Sequence, residues 1–209
     1  MRPKLTSDPQ QKGASIALSG REQWTIANIL RVNHAGEHGA IRIYRAQIWV
    51  SRWRAPDVVP LLEHMLSHEI DHGRMFRAAM IERGSTPCYA LWFWGLGGTA
   101  LGFTTALLGR AGTWTCTAAI ESAVHRHMDD QLLYLAARDR SLHDLIQSIQ
   151  VEELSHYDTA KQHLTDLNLL QRALNGVVSF ATDALIWLST YGASSRMARN
   201  LKLARTVAA

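Results

Sequence analysis

The chain has 209 residues, 47% of them hydrophobic, enough for one domain with a sizeable core and cramped for two. Its 22 basic and 18 acidic residues leave a net charge of +4, too mild and too dispersed to argue for nucleic acid, although it suits an anionic membrane surface. Cys88 and Cys116 lie apart in apolar surroundings with no Cys-x-x-Cys spacing, and read as two small buried hydrophobes in a reducing compartment.

Residues 1–19 carry no apolar run and mix Pro, Gln, Ser and Lys, so a disordered lead-in is expected there and not a secretory signal. Ser19 with Glu22 three residues on matches a capping box and opens a first helix to about Ser51, which Ala55-Pro56-Asp57 breaks. A second helix runs from about Asp57 to Arg83 and stops at Gly84, with Thr86-Pro87 confirming the stop. Residues 88–109 are the compositional outlier, free of charge, with aromatics at Trp92, Phe93 and Trp94 and glycines at Gly95, Gly97, Gly98, Gly102 and Gly109. Further helices are expected from about Thr113 to Ala137, from Ser141 to about Leu167, and from about Leu169 to Tyr191. Ser141 with Asp144 reads as the capping box of the middle one. Residues 194–209 form a basic tail expected to fray. Apolar residues recur at three and four and do not alternate, so the class is all-α and the domain spans 20–193.

Two short stretches echo each other. His68-Glu69-Ile70-Asp71-His72 and Glu152-Glu153-Leu154-Ser155-His156 each hold a Glu-x-x-His pair, which puts a carboxylate and an imidazole one turn apart on one helix face. Glu37 precedes Glu69 by 32 residues and Glu121 precedes Glu153 by the same 32, so the whole pattern repeats at a uniform offset of 84. Each member falls on the apolar stripe of its helix: Glu37 between Leu30 and Tyr44, Glu69 and His72 between Met65 and Phe76, Glu121 between Ala118 and Met128, Glu153 and His156 between Ile149 and Ala160. Four buried carboxylates need a counter-charge, and no Lys or Arg shares these stripes.

Glu37, Glu69, His72, Glu121, Glu153 and His156 are therefore candidate ligands of two divalent metals in a ferritin-like four-helix bundle with an additional C-terminal helix. Mixed carboxylate and imidazole donors suit iron, with manganese second, better than zinc. Glu152 could compete with Glu153, but the spacing selects Glu153. Among the other histidines, His64, His68, His143 and His163 read as solvated or satisfied helix residues, and His34, His38, His125 and His127 lie within about a turn of the glutamates. Residues 88–109 take the position of the long crossover. A single membrane span there would part the two half-sites, so the expected arrangement is a crossover along the bundle with its outer face, carrying Trp92 and Trp94, in one leaflet. An ordinary core helix is the alternative.

The run Arg31-Val32-Asn33-His34-Ala35-Gly36-Glu37, continuing through Gly39-Ala40 to Arg42-Ile43-Tyr44, resembles the first-helix signature of the demethoxyubiquinone hydroxylases. The resemblance extends over about residues 20–191, through Glu69-x-Asp71-His72, Ala106-Leu107-Leu108-Gly109 before Cys116-Thr117, Glu121, His127 ahead of Asp129-Asp130-Gln131, and Glu152-Glu153-Leu154-x-His156. It implies a peripheral membrane di-iron monooxygenase that hydroxylates the ring of a long-chain polyprenyl quinol, with two iron ions per chain, O2, and NADH or another reductant. It also implies the six residues above as iron ligands and His127 in electron or proton relay. The implied place is the cytoplasmic face of a bacterial inner membrane, or the matrix face of the mitochondrial inner membrane in a eukaryote, as a homo-oligomer or within a biosynthetic complex. The chain departs from the family pattern at His38, at His127-Met128, and at Trp187, where the family has a tyrosine for which Tyr191 could substitute. Another ferritin-like di-metal enzyme, a peroxidase or lipid hydroxylase, and a metal-free lipid-binding scaffold are the alternatives.

Overall fold

A computed structural model describes residues 18–164 and 168–208. The elements are α1 (Gly20–Arg54), a 3-10 turn (Pro56–Val58), α2 (Val59–Glu82), α3 (Leu91–Leu107), α4 (Gly109–Leu135), α5 (Arg140–Gln162), α6 (Leu169–Ser189) and α7 (Ala193–Ala208). Among the described residues there is no strand. The expected lead-in lies almost wholly outside the described residues, as does Leu167.

Local chemistry sets the helix ends. Ser19 caps α1 through the full capping box with Glu22, and Gly84 at φ +60 ends α2. Two helix starts differ from expectation. Asp139, not Ser141, caps α5 by accepting from the Leu142 N–H, while Asp144 pairs with Arg140 and His143. The fourth long helix starts at Gly109, whose φ of +76 turns the chain sharply from α3 into α4 with no loop between them.

The helix hairpins α1–α2 and α4–α5 pack together as a ferritin-like bundle, and each carries one further helix: α3 lies along α1 and α6 along α4. The glycines of the crossover have a structural reason. A Cβ on Gly98 would come within 2.5 Å of the Gly39 carbonyl oxygen, and one on Gly102 would strike the Ile43 carbonyl, so α1 and α3 meet backbone to backbone. Trp94 turns inward and donates its indole N–H to Ser189 Oγ at 2.8 Å, which corrects the expected outer position; Trp92, 60% exposed, does face out. Among the described residues no helix is long and apolar enough to cross a membrane.

The C-terminal stretch is the other correction. Residues 193–208 form a helix, because Tyr191 and Gly192 at positive φ reverse the chain and Met197 and Leu201 then pack into the cluster containing Ile26, Leu30 and Phe76. A second cluster, with Tyr44, Ile48, Leu62, Met65 and Trp114, fills the other end of the bundle. Between these two apolar layers lies one polar layer.

Candidate metal centre

The middle layer is made by the residues that the repeat singled out. Glu37 comes from α1, Glu69 and His72 from α2, Glu121 from α4, and Glu153 and His156 from α5, and every one is buried. Ligand atoms of Glu37, Glu69, His72 and Glu153 lie within 4.8 Å of one another, and so do those of Glu69, Glu121, Glu153 and His156. Glu69 and Glu153 belong to both groups, which is the arrangement of two cations sharing two carboxylates.

Orphaned atoms test the fit. His72 Nδ1 lies 3.0 Å from Glu153 Oε1, and His156 Nδ1 lies 3.3 Å from Glu69 Oε1 and 3.2 Å from Glu153 Oε2. Yet both Nδ1 atoms, Glu69 Oε1 and Glu153 Oε2 are buried without a hydrogen-bond partner. Buried polar atoms left so are costly, and here they converge on one volume, so the donor set fits metal cations. Burial, then the neighbouring carboxylates, pushes the carboxyls of Glu37 and Glu121 well above the usual range. Burial also opposes ionisation of Glu153, but contacts with His156 and His72 outweigh it and hold its carboxyl at about 2. Burial likewise disfavours charged His156, yet Glu153 and Glu69 raise it to about 11. The protons held on this cluster are the charge that cations would replace.

Several partners escaped the sequence reading. His72 Nε2 meets Glu152 Oε2 at 3.1 Å, and His156 Nε2 meets His68 Nδ1 at 3.0 Å with the two rings stacked. His68 is thus not a merely solvated residue: with Glu152 it orients the histidines so that each Nδ1 faces the carboxylates. Tyr44, read from sequence as stripe filler, donates to Glu121 Oε1 at 3.0 Å. Only distance across the fold could reveal these pairs; the doubled glutamate of Glu152-Glu153 was the one sequence hint.

A cavity of about 220 Å³ opens beside the centre, bounded by α1, α3, α4 and α6 and reaching Glu37, Glu69, Glu121 and Glu153. Its walls are largely apolar, with Val32, Ile43, Trp94, Leu101 and Ile186 among them. The polar exceptions include Asn33 and Gln131, whose side-chain amides exchange hydrogen bonds of 2.8 and 3.0 Å, and His127. Asp183 on α6 holds His127 Nε2 at 3.0 Å, a contact that the sequence did not announce. Trp187 and Tyr191 do not line the cavity; Tyr191 stacks on Tyr89, and both Trp187 and Tyr191 are exposed. His125 lies 4.0 Å from Asp129, and His34 and His38 line a separate groove between α1 and α2.

Fold and site together define a helical bundle with a buried carboxylate and imidazole centre beside an apolar cavity. Residues 24–189 match the family described as Ubiquinone biosynthesis protein COQ7, and the chain belongs to that family. It is 32% identical over 180 residues, covering 84% of this chain and 82% of the relative, to the mouse protein named NADPH-dependent 3-demethoxyubiquinone 3-hydroxylase, mitochondrial. It is 35% identical over 164 residues, 78% of this chain and 77% of the relative, to the 3-demethoxyubiquinol 3-hydroxylase of Rhodospirillum rubrum. The human relative, named as the mouse one is, is 31% identical over 182 residues, 85% of this chain and 83% of its own.

Proposed function

We propose that this protein is a di-iron, O2-dependent monooxygenase that hydroxylates the ring of a demethoxyubiquinol in ubiquinone biosynthesis. The observation that carries this reading is the apolar cavity between α3 and α6 that ends on four carboxylates of the buried centre. Family membership and the names of the relatives supply the substrate class.

Glu37, Glu69, His72, Glu121, Glu153 and His156 would hold two irons, Glu69 and Glu153 belonging to both ligand groups. Bound there, iron supplies two-electron reductive activation of O2, so that one oxygen enters the ring as a hydroxyl and the other leaves as water. The electrons come from a nicotinamide reductant, in keeping with the NADPH in the relatives' names. The chain does the rest. Apolar walls from Val32, Ile43, Leu101 and Ile186 exclude water and hold the ring, and the Asn33–Gln131 amide pair offers hydrogen bonds to its oxygen substituents. His127, fixed through Nε2 by Asp183, is left with Nδ1 to take or return a proton of a ring hydroxyl.

A cavity of about 220 Å³ suits a quinol head and not a long tail, which would leave between α3 and α6. The rim there includes exposed Gly97 and Ala181, and the outer faces carry Trp92, Phe93 and Leu96 on α3 and Val177, Phe180 and Leu188 on α6. Such an apolar rim supports a peripheral, monotopic seat on the membrane that holds the substrate. Incubating the iron-loaded protein with demethoxyubiquinol, O2 and NADPH should yield the hydroxylated quinol by mass spectrometry. Absence of product from protein carrying about two irons per chain would overturn the substrate assignment.

A further inference from the structure

The outer face of α1 carries a feature that the proposed chemistry does not use. His34, His38 and Ile41 recur at steps of four and three on the face of α1 turned away from the cavity, whose wall uses Val32, Gly36, Gly39 and Ile43 instead. With Ile70, Gly73, Arg74, Arg77, Ala78 and Ile81 of α2 they form an open groove of about 490 Å³. Its floor backs onto the centre, since a Cβ on Gly73 would sit 3.6 Å from the Glu37 Cβ.

The groove gathers positive charge without matching negative charge. Arg74 has an exposed partner in Asp71 at 2.8 Å, a contact that contributes little. Among the described residues Arg77 has no ion pair; Arg42 and Arg45, which stand outside the groove wall, add positive charge near His38 from the next turns of α1. His34, on the groove wall, keeps a buried Nδ1 with no hydrogen-bond partner. Burial, then Arg77 and His38, lowers its affinity for a proton, so it faces the groove as a neutral imidazole. Two arginines on one depression with a single exposed carboxylate beside them leave an excess of positive charge that an anion would offset, and their forked N–H groups match phosphate oxygens.

We propose that the α1–α2 groove, through Arg74, Arg77 and His34, binds a phosphate-bearing anion. Two sources share that chemistry: the headgroup of an anionic lipid beside the membrane-facing α3, and a soluble phosphate compound. The groove is large enough for more than one phosphate group.

The test uses the full chain in two arms: co-sedimentation with phosphatidylcholine vesicles, with or without phosphatidylglycerol, and calorimetric titration with inorganic pyrophosphate. Arg77→Gln and the double variant Arg74→Gln/Arg77→Gln should weaken binding by about fivefold per arginine removed. Arg21→Gln, the same charge change about 20 Å along α1 from His34, should leave it unchanged. Loss confined to the phosphatidylglycerol-dependent part of sedimentation identifies a lipid headgroup; loss confined to the pyrophosphate titration identifies a soluble phosphate. No binding in either arm, binding indifferent to the groove arginines, or an equal loss in Arg21→Gln overturns the site. Neither arm depends on quinol turnover, so the result stands apart from the proposed reaction.

Discussion

On the α3–α6 side, the buried centre faces an apolar cavity whose walls are broken by the Asn33–Gln131 pair, His127 and Thr182. On the α2–α5 side the same carboxylates are backed by imidazoles, and behind those by Glu152 and His68, a layer of charge and hydrogen bonds that reaches solvent. On the proposed function the two sides divide the work: the polar side would orient the metal ligands and tune their basicity, and the apolar side would admit the ring and keep water away from it.

The largest effect is expected from removing a residue common to both candidate metal groups. Glu153→Ala should abolish turnover and bring iron, measured by elemental analysis, from about two per chain to less than one. Retention of full iron content would remove Glu153 from the shared position. The polar side is tested by Glu152→Gln, which leaves the cavity untouched and should weaken iron affinity about 10- to 100-fold in a competition titration with a chelator. A matching probe of the apolar side is Asp183→Ala. It should lower kcat about 100-fold while leaving iron content and KM near wild type, since it releases His127 and not the substrate walls.

Three smaller effects concern stability. Gly102→Ala, on the inner face of α3, should destabilise by about 1–3 kcal/mol in denaturant titration, because the added methyl meets the Ile43 backbone. Gly97→Ala on the outer face meets nothing within 4 Å and should stabilise by about 0.5–1 kcal/mol. At the end of the polar side, Arg83 of the α2 terminus grips Asp139 at 2.7 Å and holds its carboxyl below the ordinary value. Asp139→Asn keeps the cap of α5 and should cost about 1 kcal/mol at neutral pH. A folded value below the unfolded 3.8 means that this stability is present above 3.8 and is lost as pH falls through the folded value. The gap between wild type and variant in thermal melts should therefore close in acid.

The placement of the six candidate ligands was legible in the chain because a helix converts spacing into direction. Glu-x-x-His on an apolar stripe lands inside, and an offset of 84 brings the halves to one level. The caps at Ser19 and Gly84 were legible for the same local reason. Asp139 was missed because capping depends on which residue takes the extended conformation, and two polar neighbours competed for it. The inward turn of Trp94 and the helix formed by residues 193–208 were missed because each depends on a partner far along the chain, Ser189 in one case and the cluster around Ile26 and Phe76 in the other.

The helical class, the approximate length of the bundle helices and the inward direction of four carboxylates and two imidazoles follow from periodicity within one helix. Which atoms are left without partners, that Glu152 and His68 stand behind the histidines, that Asp183 holds His127 and that α3 and α6 flank a cavity depend on how the helices pack. Those are relations between helices, set by backbone approach at Gly98 and Gly102 and by the packing of α6 on α4, and no spacing along a single helix encodes them.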